Sequence, residues 1–264
     1  MNSRIVGHVA GAEPSVPPQR PIAALRAVIF DVDGTLYRQA PLRRRLALAL
    51  VRAYVTSPAE GLAVARSLAA YRWAQEQLRT SPHRHADLGA EQIARAAARA
   101  GRDPVWLREL VTRWLERAPL ALLSGAAWPD AVNCLRFLRA AGLRLAIVSD
   151  YPADAKLRAL GIDSLFDVIV SAHDRAVGRF KPSDAGINLA LRRLGVTPPE
   201  AAYVGDRPEI DAPAAAAAGV ECFIIGARSR RKERTTYRAV RDYTALAAAL
   251  LARQSASLGR GDQP

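Results

Sequence analysis

Two aspartates separated by one residue follow the first apolar run of the chain. They are Asp31 and Asp33, in the stretch FDVDGTL. Two carboxylates this close repel each other, and each raises the pKa of the other. A hard divalent cation with oxygen ligands removes this conflict, and Mg²⁺ suits it best because it binds through one or two carboxylates, waters and substrate phosphate oxygens. The pair therefore indicates a positively charged partner at this strand end, for which a metal ion is a candidate.

Two further segments place polar residues directly after apolar runs. Ser149 and Asp150 follow LRLAIV, and Asp206 follows AAYVG in the stretch GDRPEID, which ends at Asp211. In a parallel sheet the carboxyl ends of the strands lie on one edge, where ligands bind. We therefore expect the carboxylates of these segments to converge with the first pair.

A lysine and a tight turn add positive charge and hydrogen-bond donors to this set. Lys181, in GRFKPSD, supplies a compact cation and is fixed by the following Pro182. Gly34 and Thr35 form a turn whose N–H groups suit a phosphate, and the Ser149 hydroxyl is another donor. A carboxylate nucleophile, a second carboxyl, a metal, a lysine and such donors suit phosphoryl transfer, in which positioning and charge stabilisation dominate.

The segments that must position these residues alternate between strand and helix. Five apolar runs without polar alternation predict strands that are covered on both faces. These runs are 27–30, 143–150, 166–172, 201–206 and 221–226. Helical patterns separate the last four runs, and glycines stand where those helices should end. The predicted fold class is α/β, a doubly wound, Rossmann-like parallel sheet.

A helical insertion follows the first strand. Residues 37–124 contain no convincing strand, and apolar residues recur there at helical spacing in four segments: 42–55, 60–79, 90–100 and 104–117. An insertion at this point would overhang the carboxyl edge of the sheet, so we expect a helical cap over 37–124. The α/β core is expected to comprise 22–36 and 125–253, with a disordered leader at 1–21 and a flexible tail at 254–264.

The composition excludes some classes of partner. The formal net charge of +13 raises the question of nucleic acid, but most of the excess is arginine spread through helices. The dense basic cluster from Arg228 to Arg234 has no interleaved aromatic residue, so a solvated loop is favoured and nucleic acid is not the expected partner. No apolar run approaches the roughly 20 residues of a membrane span, and the first residues lack a secretory pattern. We expect a cytoplasmic protein; the sequence indicates no oligomeric state.

Together the motifs resemble the signature of the haloacid dehalogenase superfamily, in its phosphatase branch. DVDGTL, Ser149, Lys181 in FKP and GDRPEID match its four motifs in family order, each at the end of the expected element. The resemblance covers about 25–226, and the helical insertion resembles the family's C1-type cap, as in phosphoglycolate phosphatase-like members. It implies a hydrolase of phosphomonoesters.

The resemblance also implies roles for the carboxylates. Asp31 would attack phosphorus and form an aspartyl-phosphate. Asp33 would protonate the leaving alcohol and then deprotonate the hydrolytic water. Mg²⁺ would be held by the Asp31 carboxylate, the Asp33 backbone carbonyl and Asp206, with Asp211 nearby.

The remaining motif residues would bind the phosphoryl group. Ser149 and the N–H of Asp150 would hold it, and Lys181 would neutralise Asp31 and the phosphate. The side chain of Asp150 is expected to cap the helix that follows Tyr151 and Pro152 instead.

The expected substrate is a small phosphorylated metabolite, and other activities stay open. A carbon–halogen dehalogenase of the same superfamily needs no metal and no acid at the second position, so Asp33 favours a phosphatase. A phosphomutase would need a cap that shields the aspartyl-phosphate from water. A regulatory or nucleic-acid-binding protein that keeps the fold without the reaction is the alternative of another class, weakly favoured by the charge.

Overall fold

The structure, a computed structural model, describes residues 24–226 and 236–258. The predicted leader at 1–21 and the basic cluster at 228–234 lie outside these residues, as does the end of the predicted tail at 259–264. The side chains discussed below all belong to the described part.

Six parallel strands form one sheet in the described residues, in the order β3-β2-β1-β4-β5-β6. The strands are β1 (Ala27–Phe30), β2 (Arg144–Ser149), β3 (Val168–Ser171), β4 (Ala201–Gly205), β5 (Glu221–Ile225) and β6 (Arg238–Val240). The predicted doubly wound parallel sheet is confirmed. The sequence analysis missed β6, which has only three residues and is partly exposed.

The central strand β1 shows why these strands read as continuous apolar runs. All four of its residues are buried, but they face two different cores. Val28 and Phe30 pack in a cluster with Leu135, whereas Ala27 and Ile29 pack in a second cluster on the other face of the sheet. Because helices cover both faces, no position of the strand can be polar.

Helices surround the sheet and fill the insertion. The α-helices are α1 (Gln39–Ala53), α2 (Pro58–Arg79), α3 (Leu88–Ala100), α4 (Pro104–Val111), α5 (Leu120–Leu123), α6 (Pro129–Ala140), α7 (Asp154–Leu160), α8 (Ala185–Leu194), α9 (Asp211–Ala217) and α10 (Tyr243–Leu258). A π-helical segment, Thr112–Arg117, follows α4. Helix α10 continues to Leu258, so the tail predicted from residue 254 begins inside a helix. Among the described residues, no helix is long and apolar enough to cross a membrane.

Helices α1–α5 lie between β1 and β2 in the chain. The helices α2, α3 and α4 and the π-helical segment form a separate apolar cluster, whereas α1 and α5 contribute buried leucines to the core of the sheet. Val64, Tyr71, Ile93 and Leu107 belong to this cluster and are buried. Aspartates start two of the helices, because the Asp87 carboxylate accepts a hydrogen bond from the N–H of Ala90 and the Asp103 carboxylate accepts from two N–H groups of α4. The helical insertion is therefore present where it was predicted. Its role as a cap stays a prediction.

A buried ion pair joins the insertion to the sheet edge. Arg79, in the last turn of α2, places a guanidinium nitrogen 3.0 Å from Oδ2 of Asp150, and both side chains are less than a tenth exposed. Arg79 also donates to the backbone carbonyl of Lys181. The same Asp150 carboxylate accepts from Gln75 at 3.3 Å and from the N–H of Lys181 at 3.1 Å.

These contacts correct the expectation for the Asp150 side chain. It was expected to cap the following helix, but α7 begins at Asp154 and has no side-chain cap. The carboxylate binds Arg79 instead, because a buried charge is stable only when an opposite charge and hydrogen bonds compensate it.

We predict that Arg79→Met destabilises the fold, since it leaves the buried Asp150 carboxylate without its closest cation. The free energy of unfolding should fall by about 3 kcal/mol, as measured by urea denaturation. The matched control is Arg72→Met, on an exposed position of the same helix, which should change it by less than about 0.5 kcal/mol. The double variant Arg79→Met/Asp150→Asn should lose less than the sum of the single losses. Equal losses for Arg79→Met and Arg72→Met would contradict the assignment.

Candidate active site

The first motif aspartate is fixed on both of its oxygens. Asp31 follows β1 directly and is buried. Its Oδ1 lies 2.6 Å from Nζ of Lys181, and its Oδ2 accepts a hydrogen bond of 3.1 Å from the Thr35 hydroxyl. Tyr243 in turn donates to the carbonyl of Thr35, which anchors the turn from α10. The Thr35 hydroxyl therefore orients Asp31, and the binding of phosphate by the N–H groups of this turn stays a prediction.

Lys181 pairs with a second carboxylate, that of Asp211. Its Nζ lies 2.7 Å from Oδ1 of Asp211, which also accepts from the Tyr203 hydroxyl at 3.1 Å. Oδ2 of Asp211 accepts from the N–H of Arg207 at 3.0 Å. Burial raises the pKa of Asp211, but the charge of Lys181 outweighs it, and the pKa lies below its usual value. Burial lowers the pKa of Lys181, but Asp211 and Asp31 together raise it well above its usual value. Both groups are therefore charged.

The fourth-motif residue Asp206 lies on the same edge with an oxygen that lacks a partner. One oxygen each of Asp31, Asp206 and Asp211 lie within 4.8 Å of one another. Oδ1 of Asp206 is buried and has no hydrogen-bond donor among the described residues. Burial and the charge of Asp211 raise the pKa of Asp206 to about 6. Burial, partly offset by Lys181, raises that of Asp31 to about 7. An excess of negative charge beside an unpartnered carboxylate oxygen fits a hard cation.

Asp33, the second aspartate of the stretch DVDGTL, has partners that the sequence did not predict. Nζ of Lys156 lies 2.7 Å from both Oδ1 and Oδ2 of Asp33, and the Tyr37 hydroxyl donates to Oδ1. Burial raises the pKa of Asp33, but the charge and hydrogen bonds of Lys156, with that of Tyr37, outweigh it and lower the pKa. Lys156 gave no signal in the sequence, because it lies in an ordinary helical pattern 123 residues from Asp33.

The second-motif residues lie at the end of the strand beside β1. Ser149 is the last residue of β2, is buried, and accepts a weak hydrogen bond of 3.4 Å from the N–H of Tyr151. Asp150 follows it and binds the backbone N–H of Lys181. The structure therefore brings Ser149, Asp150 and Lys181 to the edge that carries Asp31, as predicted. The binding of phosphate by Ser149 and Asp150 stays a prediction.

Gly34 permits the close approach of Asp206. Its φ of +99° is a left-handed conformation, and a Cβ at this position would overlap the Asp206 carboxylate. A residue with a side chain would therefore be strained in its backbone and would also displace Asp206.

We predict that Gly34→Ala destabilises the fold more than Gly142→Ala. Gly142 has a φ of +81° and open space around its hypothetical Cβ, so this control carries the backbone strain alone, about 1–2 kcal/mol. Gly34→Ala should cost about 1–3 kcal/mol more because of the clash. Urea denaturation measures both values. Equal losses would show that Asp206 does not approach Gly34 this closely.

Comparison with known proteins identifies the family of this chain. The family model for haloacid dehalogenase-like hydrolases matches residues 25–219. The chain is 33% identical over 202 residues to a glyceraldehyde 3-phosphate phosphatase of Methanopyrus kandleri. This alignment covers 74% of this chain and 82% of that protein. It is 33% identical over 218 residues to a phosphoglycolate phosphatase of Rhodospirillum rubrum, with 76% and 79% covered.

A solved structure shows the same fold. The crystal structure of a 2-haloacid dehalogenase from Pseudomonas syringae pv. Tomato superposes with a TM-score of 0.62 at 24% identity, covering 87% of this chain and 99% of that chain. The family match extends over most of the chain and includes all four motifs and the insertion. This chain therefore belongs to the haloacid dehalogenase-like hydrolases.

Proposed function

We propose that this protein is a Mg²⁺-dependent phosphatase that hydrolyses a small phosphorylated metabolite through an aspartyl-phosphate. One observation carries the proposal: the buried Asp31 carboxylate, held by Lys181 and Thr35, lies beside an Asp206 oxygen that has no donor among the described residues. This arrangement combines an oriented nucleophile with a place for a cation. The two relatives with phosphatase names support the same reaction.

In the proposed reaction Asp31 is the nucleophile. Its carboxylate attacks phosphorus, a new oxygen–phosphorus bond forms, and the bond to the leaving alcohol breaks. Asp33 gives a proton to the alcohol and later takes one from the water that hydrolyses the aspartyl-phosphate. Because Lys156 lowers the pKa of Asp33 and favours its ionised form, Asp33 must take up a proton before the alcohol leaves. The ammonium of Lys181, which contacts Asp31, would offset the negative charges of Asp31 and of the phosphoryl group. Inorganic phosphate and the free carboxylate of Asp31 are the products of the second step.

The residues that would hold Mg²⁺ are the Asp31 and Asp206 carboxylates and the backbone carbonyl of Asp33. The cation would offset the charge of the phosphate oxygens and of the carboxylates around them. Both oxygens of Asp211 already accept from protein donors. The same is true of Asp31, but Lys181 outweighs burial and lowers the pKa of Asp211, whereas the pKa of Asp31 stays raised. We therefore assign Asp211 to the orientation of Lys181 rather than to direct ligation.

A haloacid dehalogenase is the second candidate, because the superposed crystal structure carries that name. Its reaction needs the Asp31 carboxylate and Lys181 but not a metal. A dehalogenase would be favoured if the protein released halide from a 2-haloacid equally well with and without EDTA and had no phosphatase activity.

We predict that Asp31→Asn abolishes phosphatase activity. The neutral amide is a poor nucleophile, so turnover of p-nitrophenyl phosphate should fall by more than about 10³-fold. The control is Asp154→Asn, an exposed position at the start of α7, which should keep wild-type turnover. Circular dichroism checks that both variants fold. Retained activity in a folded Asp31→Asn protein would overturn the proposal.

We predict that Asp206→Asn stabilises the protein in EDTA. The pKa of Asp206 rises from 3.8 to about 6 on folding, so the unfolded state loses its proton first and wild type loses stability as pH rises between these values. The variant has no such loss. Its free energy of unfolding minus that of wild type should therefore increase by about 2 kcal/mol from about pH 4 to about pH 7. His173, whose pKa is lowered chiefly by burial, has the opposite slope but is present in both proteins.

Added Mg²⁺ should reverse this order. Millimolar Mg²⁺ should raise the melting temperature of wild type, because a ligand that binds only the folded state stabilises it. It should raise that of Asp206→Asn much less. Equal shifts in the two proteins would contradict the assignment of Asp206 as a ligand, independently of any activity assay.

A further inference from the structure

Asp33 is held by two donors that the family motifs do not include. Nζ of Lys156 lies 2.7 Å from each carboxylate oxygen, so one ammonium spans the whole group. The Tyr37 hydroxyl donates to Oδ1. The Lys156 and Asp33 side chains are 16% and 23% exposed, so water competes only partly for this ion pair. The orientation of Asp33 is therefore set from outside the Asp31 cluster.

Both donors are mounted on rigid parts of the core. Lys156 lies on α7 between Ala153 and Leu157, which are fully buried. The Tyr37 ring is buried in the core beneath the sheet edge, and its backbone forms bridges with Asp33 and Ala127. Side chains on rigid elements hold a catalytic group more accurately than side chains on loops do.

The choice of lysine at position 156 is itself informative. Of the 38 lysines and arginines in the chain, only three are lysines: Lys156, Lys181 and Lys232. The first two bind the two aspartates of the motif, and the third lies outside the described residues. An ammonium is compact and has no planar fork, so it can sit against one carboxylate inside a crowded site where a guanidinium needs more room.

We propose that Lys156 is a positioning residue for the phosphatase reaction, acting through Asp33. This inference rests on the proposed function. Without Lys156, the Tyr37 hydroxyl is the one side-chain donor left to the Asp33 carboxylate among the described residues, and this carboxylate is free to rotate towards the cation that Asp31 and Asp206 would hold. A misplaced acid–base group loses much of its effect, since a displacement of about 1 Å costs on the order of 10²-fold in rate. Lys156 thus keeps Asp33 in place to take a proton from the hydrolytic water, in the second step of the proposed reaction.

The test is a double-mutant cycle between Lys156 and Asp33, with p-nitrophenyl phosphate as the probe and Mg²⁺ present. The p-nitrophenolate of this substrate is a good leaving group, so turnover by Asp33→Asn stays measurable. We expect Lys156→Met to lower kcat by about 10- to 100-fold with KM changed less than about 3-fold. In the Asp33→Asn background, Lys156→Met should lower kcat less than about 2-fold further. The control is Arg158→Met, which removes one cation from an exposed position of the same helix and should leave kcat and KM unchanged.

Three outcomes would overturn the inference while wild type stays active. They are an unchanged kcat in Lys156→Met, a loss that appears in KM alone, or an equal loss in the Asp33→Asn background. A loss in KM alone would mean that Lys156 binds substrate directly, and an equal loss in both backgrounds would mean a structural role. No turnover by wild type would instead overturn the proposed function, and this inference with it.

Discussion

The site depends on the two ion pairs that the buried ammonium of Lys181 makes. This ammonium contacts the carboxylates of Asp31 and Asp211, which come from the end of β1 and the start of α9. Two buried carboxylates at this distance would otherwise repel each other, and removal of one partner from such a cluster leaves an uncompensated charge that costs several kcal/mol. The edge of the sheet can therefore carry Asp31 and Asp211 side by side because this lysine joins them.

The distribution of charge also determines where a cation belongs. The described site has four carboxylates, on Asp31, Asp33, Asp206 and Asp211, and two ammonium groups, on Lys156 and Lys181. When all four aspartates are ionised, these six groups leave two negative charges, which Arg207 beside Asp206 offsets in part and a divalent cation would offset further. Asp33 and Asp211 each have a lysine that lowers their pKa, whereas the pKa values of Asp31 and Asp206 are raised. The uncompensated charge therefore lies between Asp31 and Asp206.

The sequence predicts those features that depend on local signals. Buried runs such as Ala27–Phe30 are apolar because both faces of the sheet are covered, and polar residues follow them at the strand ends. The pairs Lys156–Asp33 and Arg79–Asp150 could not be predicted, since they join residues 123 and 71 positions apart. Packing of the whole chain decides which face of α7 and which end of α2 meet the sheet edge. The residue pattern of neither helix differs from that of a solvated helix.

The pair between Arg79 and Asp150 links the position of the insertion to the site. Asp150 follows Ser149 and also binds the N–H of Lys181, whose carbonyl accepts from Arg79. Arg79 of α2 therefore contacts two residues of the candidate site, Asp150 through its carboxylate and Lys181 through its carbonyl. The nearest other cation to the Asp150 carboxylate is Arg207, at 3.6 Å and next to Asp206. Asp150 therefore contacts both the insertion, through Arg79, and the turn that carries Asp206, through Arg207.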